Sequence, residues 1–179
     1  MSITFTETKL RGAFIIDPEI FEDERGFFAR SYSEKEFHDH GINLRMAECH
    51  VSFNKKRYTL RGMHFQEDPF AQAKLVRCTQ GAIFDVIVDL RPESPTFKQW
   101  IGEILTATNH RMLFVPTGFA HGYQTLEDNT EMFYQVSEFY RLESCRGVRW
   151  YDPAFGIQWP AMDGVTLNPR DQSYPDFKS

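Results

Sequence analysis

The sequence is poor in cysteine, in positive charge and in long apolar runs, and each shortage closes off a class of function. Its 179 residues include three cysteines, Cys49, Cys78 and Cys145. They stand far apart, with no Cys-x-x-Cys or Cys-x-x-His pairing, so neither a structural zinc site nor a redox dithiol is expected. An odd number of thiols suits a reducing cytoplasm. Lysine plus arginine (20) are outnumbered by aspartate plus glutamate (25), and the net charge is −5. Nucleic-acid binders carry a basic footprint, so that class is excluded, although a local basic pocket for a small anion is not. No apolar run approaches the ~20 residues of a membrane span. The opening, MSITFTETKLRG, lacks the apolar centre of a secretory signal. The expectation is a cytoplasmic protein with no membrane and no nucleic-acid partner. Repeats, linkers and low-complexity stretches are missing too, so residues 1–179 read as one domain.

What is present favours strands. Hydrophobic residues make up 41% of the chain, enough for an ordinary core, and 17 residues are Phe. One helix is marked, at residues 33–41. Ser33 with Glu36 forms a capping box, and Gly41 is a natural stop. The rest falls into short apolar runs separated by Gly, Pro, Asn and Asp: 74–78, 82–90, 100–106, 111–116, 120–126 and 131–139. In 82–90, Phe84, Val86, Val88 and Leu90 share one face, and Asp85, Ile87 and Asp89 share the other. No helix between these runs is long enough for a parallel α/β sheet. The fold class is therefore all-β, a sandwich or jelly roll with short peripheral helices.

The candidate chemistry starts at "LRGMHFQ" (60–66). Its His64 reads as a core histidine, a metal ligand or a base. A second histidine, His121, lies in "PTGFAHG", a Pro-x-Gly-x-x-His pattern similar to the second motif of the cupin superfamily. The first cupin motif needs His-x-His and a following Glu, whereas this chain reads His64-Phe65-Gln66-Glu67. Two histidines without a third well-placed carboxylate make a poor metal site, so no metal is expected. Arg25, Arg61, Lys74 and Arg170 lie near strand ends or Gly-rich turns. Each alone reads as a solvated charge; gathered at one barrel mouth, two or three would suit a diphosphate. Tyr134 and Tyr140 are six apart and would share a face in one continuous strand. Asp171, in "LNPRDQSYP", reads either as a turn aspartate or as the carboxylate that orients His64.

Six segments together carry a resemblance: "DERGFFARSY" (23–32), "LRGMHFQ" (60–66), 74–100, "FVPTGFAHGYQTL" (114–126), "VRWYDPAFGIQWP" (148–160) and "LNPRD" (167–171). In that order, over nearly the whole chain, they resemble the dTDP-4-dehydrorhamnose 3,5-epimerase family. The resemblance implies a cupin-type jelly roll (a double-stranded β-helix), a homodimer, no cofactor and no catalytic metal. It implies epimerisation beside the 4-keto group of a nucleotide-linked 6-deoxy-hexose. By position, His64 matches the proton-abstracting base, Asp171 its partner, Tyr134 the proton donor on the opposite face, and Lys74 the lysine near the keto oxygen. Arg25, Arg61, His121, Tyr140 and Arg170 match ligand-contact positions. A C–H beside a ketone is acidic only through its enolate, so base, oxyanion donor and opposed acid form one requirement.

The chain also departs from the family pattern. Arg30 replaces a Glu two positions after "RGFF". Cys49-His50-Val51 replaces Gln-Asp-Asn or Gln-x-Asn, and Leu142 and Cys145 replace a Pro and a Glu after Tyr140. Thymine offers an N3–H donor that suits Glu, whereas cytosine and guanine offer acceptors that suit an Arg fork. On that reasoning Arg30 is a substrate-binding residue that points away from dTDP, toward a CDP- or GDP-linked sugar. The alternative is an Arg30 that faces solvent while a neighbour reads the base.

Overall fold

The computed structural model describes residues 1–43 and 45–178. Two antiparallel sheets face each other, in a jelly-roll arrangement. The first has six strands, in the order β1 (Ile3–Glu7), β2 (Phe14–Pro18), β10 (Met112–Val115), β7 (Lys74–Gln80), β12 (Thr130–Val136) and β5 (Glu48–Asn54). The second has five, in the order β13 (Cys145–Gly147), β6 (Leu60–Gln66), β11 (Phe119–Thr125), β8 (Ala82–Asp89) and β9 (Trp100–Thr106). A separate hairpin joins β3 (Ile20–Asp23) to β4 (Gly26–Ala29).

Three apolar clusters explain this layering. Val76, Leu113, Val115 and Met132 of the first sheet meet Ile83, Ile87, Leu105 and Phe119 of the second. Behind the second sheet, Val86, Val88 and Ala120 are covered by Val148, Trp150, Phe155, Ile157 and Trp159 from the C-terminal stretch. Behind the first, Leu75, Met112 and Phe114 pack with Phe37 of α1 (Glu34–Asp39) and Ile42. The interior strand β8 is thus buried on both sides, which is why its run is apolar on one face and mixed on the other. Its faces divide as the alternation predicts. Phe84, Val86, Val88 and Leu90 join the C-terminal cluster, whereas Ile87 joins the inter-sheet core.

The helix at 33–41 is present as α1. Ser33 caps it, with its Oγ accepting from Glu36 N–H at 3.4 Å, and Gly41 follows with φ +76°. The strand expected over 131–139 ends at Val136. Beyond it the chain bends toward β6, where Gln66 Nε2 donates to Phe139 O (3.2 Å) and Arg141 N donates to Gln66 Oε1 (2.7 Å). Tyr134 and Tyr140 therefore do not share one strand. Asp171 is not in a loop but in a one-turn helix, α2 (Pro169–Gln172), with Pro169 in its first turn and Asn168 as its cap. Among the described residues no helix is long and apolar enough to cross a membrane.

One close approach sets the register that matters most. A Cβ on Gly62 would lie 2.5 Å from Gly122 Cα, and Gly62 has φ +140°. Only glycine fits both demands. This lets β6 lie tight against β11, which places His64 directly opposite His121.

Candidate active site

The cavity lies between the two sheets, in two lobes of about 580 and 590 Å³ that share His64, Lys74 and Tyr134. The sheets contribute different groups. β6 and β11 supply His64 and His121, whereas β7 and β12 supply Lys74 and Tyr134.

His64 is half-exposed, and its Nε2 lies 2.7 Å from Asp171 Oδ1. Asp171 is fully buried and fixed twice more. Its Oδ2 accepts from Gly62 N–H at 3.1 Å, and its own N–H donates to Asn168 Oδ1 at 2.7 Å. An ionised carboxylate only accepts, so Nε2 carries the proton and Nδ1 carries the lone pair. This is the arrangement of an oriented general base.

A second dyad stands beside the first. His121 Nε2 lies 2.7 Å from Asp85 Oδ1, and both residues are buried. Burial pushes the His121 imidazole down, against the pull of Asp85. Among the described residues no hydrogen bond reaches Asp85 Oδ2. Its charge bears on Lys74. Burial pulls the Lys74 ammonium down to about 8, and Asp85 holds it from falling further. Lys74 Nζ donates to His64 O at 3.3 Å. An amine poised near neutrality gives up or shares a proton readily, as an oxyanion donor must.

Tyr134 has its phenol pushed above the ordinary range, chiefly by burial. Its ring stacks on His50. At the second lobe, Arg61 Nε donates to Asn54 Oδ1 at 2.8 Å, and Asn54 Nδ2 donates to the Tyr123 hydroxyl at 3.2 Å. At the mouth stand Tyr140 and Arg170. The guanidinium of Arg170 is held up first by its hydrogen bond with Tyr140.

Eight of the ten residues expected from sequence therefore converge: His64, Asp171, Tyr134, Lys74, Arg61, His121, Tyr140 and Arg170. Arg25 and Arg30 do not line either lobe of their own chain. Arg25 sits at the turn of the β3–β4 hairpin, where its Nε donates to Asp23 Oδ1 at 3.1 Å. Arg30 Nη1 donates to Glu36 Oε2 of α1 at 3.2 Å. Sequence reasoning missed Asp85, Asn54, Tyr123 and Tyr174 as parts of the site. Asp85 was legible in principle, as a carboxylate on the same face as Ile83 and Ile87 inside a buried run. Tyr174 packs edge-on to His64, centroids 6.0 Å apart, and only Gly147 leaves room for its ring.

An oriented imidazole on one sheet, facing a phenol and a lysine on the other, defines an enzyme class equipped for proton transfer at carbon. The family model for dTDP-4-dehydrorhamnose 3,5-epimerase matches residues 7–179. The dTDP-4-dehydrorhamnose 3,5-epimerase of Sinorhizobium fredii is 43% identical over 176 residues, covering 98% of this chain and 88% of the relative. The solved Bacillus anthracis enzyme of that name, with TDP and PPi bound, is 44% identical with a TM-score of 0.95, covering 98% of this chain and all of the other (100%). A Legionella pneumophila dTDP-6-deoxy-D-glucose-3,5-epimerase, in complex with dTDP-4-keto-L-rhamnose, is 34% identical with a TM-score of 0.91, covering 99% and 100%. The chain belongs to the dTDP-4-dehydrorhamnose 3,5-epimerase family, with its cupin jelly-roll fold.

Proposed function

We propose that this enzyme inverts C3 and C5 of a dTDP-linked 4-keto-6-deoxy-hexose. The observation that carries the reading is the division of labour between the sheets. His64, oriented by Asp171, stands on one wall, and Tyr134 and Lys74 stand on the other. His64 Nδ1 removes the proton from the carbon beside the ketone. Lys74 donates to the enolate oxygen, where charge develops. Tyr134 returns a proton to the opposite face, and the centre is inverted. Arg61 and Arg170 meet the diphosphate and sugar, with His121 and Tyr140 completing the contact.

The choice of dTDP replaces the reading of Arg30 as a selector for CDP or GDP. The Arg30 guanidinium is engaged by Glu36 in its own chain, and relatives with a bound nucleotide hold thymidine forms. The test is proton NMR in deuterium oxide with dTDP-, CDP- and GDP-linked 4-keto-6-deoxy-hexoses. Loss of the C3 and C5 signals with the dTDP sugar, abolished in His64→Ala, is expected. Faster exchange with the CDP or GDP sugar would overturn the nucleotide assignment, and full-rate C5 inversion by Tyr134→Phe would overturn the role of Tyr134.

We also propose a homodimer. The edge strand β5 exposes Val51 and Phe53, and the β3–β4 hairpin exposes Phe27 and Phe28. An unpaired, apolar edge of this kind is normally covered. Arg25 in the turn of that hairpin and Arg30 just past β4 line neither lobe of their own chain, which fits ligand contacts made across the dimer. Light scattering at the mass of one chain would overturn this.

A further inference from the structure

His50 lines the cavity but has no part in the proton transfers proposed above. Strand β5 runs beside β12 in a register that pairs His50 with Tyr134. The two rings are stacked, with centroids 5.0 Å apart and planes 21° apart. On its other side, the imidazole Nε2 lies 3.3 Å from Glu48 Oε2. Glu48 is itself fixed by the Tyr140 N–H, which donates to Oε2 at 3.1 Å. The Tyr134 ring is thus held by its face, and among the described residues no hydrogen bond engages its hydroxyl.

This arrangement meets a specific need. When Tyr134 protonates the enolate, its O–H bond breaks and a C–H bond forms from the enolate electron pair. The ketone is restored, and a phenolate is left behind. Burial makes that charge costly; Tyr123 and then Glu48 add to the cost, and Arg61 offsets part of it. The transfer therefore depends on the hydroxyl being aimed at the carbon before it begins. We propose that His50 is the positioning residue for Tyr134: its ring, stacked on the phenol and held by Glu48, sets the plane and direction in which the hydroxyl delivers its proton. This rests on the epimerase reading above. After product leaves, the phenolate regains a proton from water at the mouth, and His64 returns its own to water.

The experiment compares kcat and KM for C3 and C5 inversion by the wild type, His50→Phe and His50→Asn, by NMR, using the dTDP-linked 4-keto sugar. His50→Phe keeps a ring to stack on Tyr134, and His50→Asn does not. His50→Asn is expected to lose on the order of tenfold in kcat with KM nearly unchanged, and His50→Phe to recover most of that loss. Equal kcat in the wild type and His50→Asn, or a loss that His50→Phe does not recover, overturns the inference while leaving the epimerase intact. A wild type that inverts no sugar overturns the epimerase reading, and the inference with it.

Discussion

Replacing Asp171 with asparagine tests the base with almost no change in volume. The carboxylate accepts two hydrogen bonds, from His64 Nε2 at 2.7 Å and from Gly62 N at 3.1 Å. An amide has one acceptor oxygen for these two demands. If its oxygen faces Gly62, its NH₂ faces His64, and Nε2 must become the acceptor. The proton then moves to Nδ1, and the lone pair that should meet the substrate is gone. If the amide is reversed, its NH₂ meets the Gly62 N–H with no acceptor between them. The first arrangement is favoured, because Gly62 is held by strand pairing and the imidazole is free to change tautomer. A lost general base costs 10²–10⁴-fold, so kcat should fall by about 10³, or ~4 kcal/mol of barrier. Stability should fall less, by about 1–3 kcal/mol, since one buried charge-assisted bond is weakened. The assay is C3 and C5 proton exchange in deuterium oxide, paired with a thermal melt. An Asp171→Asn enzyme that exchanges within a few-fold of the wild type, with its fold intact, would refute the tautomer argument.

Three further outcomes follow from the same geometry. Lys74 titrates at about 8, below its ordinary 10.5, so it acts as a donor only below that point. The rate of enolisation should decline as pH rises through about 8, and Lys74→Met should lose roughly 10²-fold or more with no such limb, read from a pH–rate profile. Asp89 is held down to about 2 from 3.8 by Arg91, Ser94 and Thr96, against the cost of its burial. Its depressed value stabilises the fold above about pH 4, and that stability is lost as pH falls toward 2; Asp89→Asn should remove about 2 kcal/mol at neutral pH, measured by urea unfolding. Gly62→Ala places a methyl 2.5 Å from Gly122 Cα on a backbone with φ +140°. It should cost about 2–4 kcal/mol, or fail to fold, in a denaturation series.

Much of the site was written into local patterns. His64 and Asp171 lie 107 residues apart, yet each sits in a short motif whose backbone demands are visible: glycine before the histidine, and Asn-Pro before the aspartate. The α1 cap was legible because it depends on residues three apart. The strands were legible where both faces are buried. The places that resisted reading depend on long-range contact. Tyr140 reaches the cavity from beyond the end of β12, because Gln66 on another strand holds the chain there. The His50–Tyr134 stack depends on which strands become neighbours, which no single run encodes. Arg25 and Arg30 carried a family signal, but in the folded chain their partners are Asp23 and Glu36. The Asp85–His121 pair was half-seen, since the alternation placed Asp85 opposite the apolar face without saying what it would meet.

The apolar packing between the sheets has a consequence beyond stability. Val76, Leu113 and Met132 press against Ile83, Ile87 and Phe119 beneath the cavity. The proposed base stands on one of these sheets and the proposed acid on the other. The core is therefore a spacer that sets the gap across which a proton leaves one face of a carbon and arrives at the other. A methylene removed from Leu113 or Ile87 alters no residue that lines the cavity, yet it resets that gap. Catalytic precision in this molecule is in part a property of its oil.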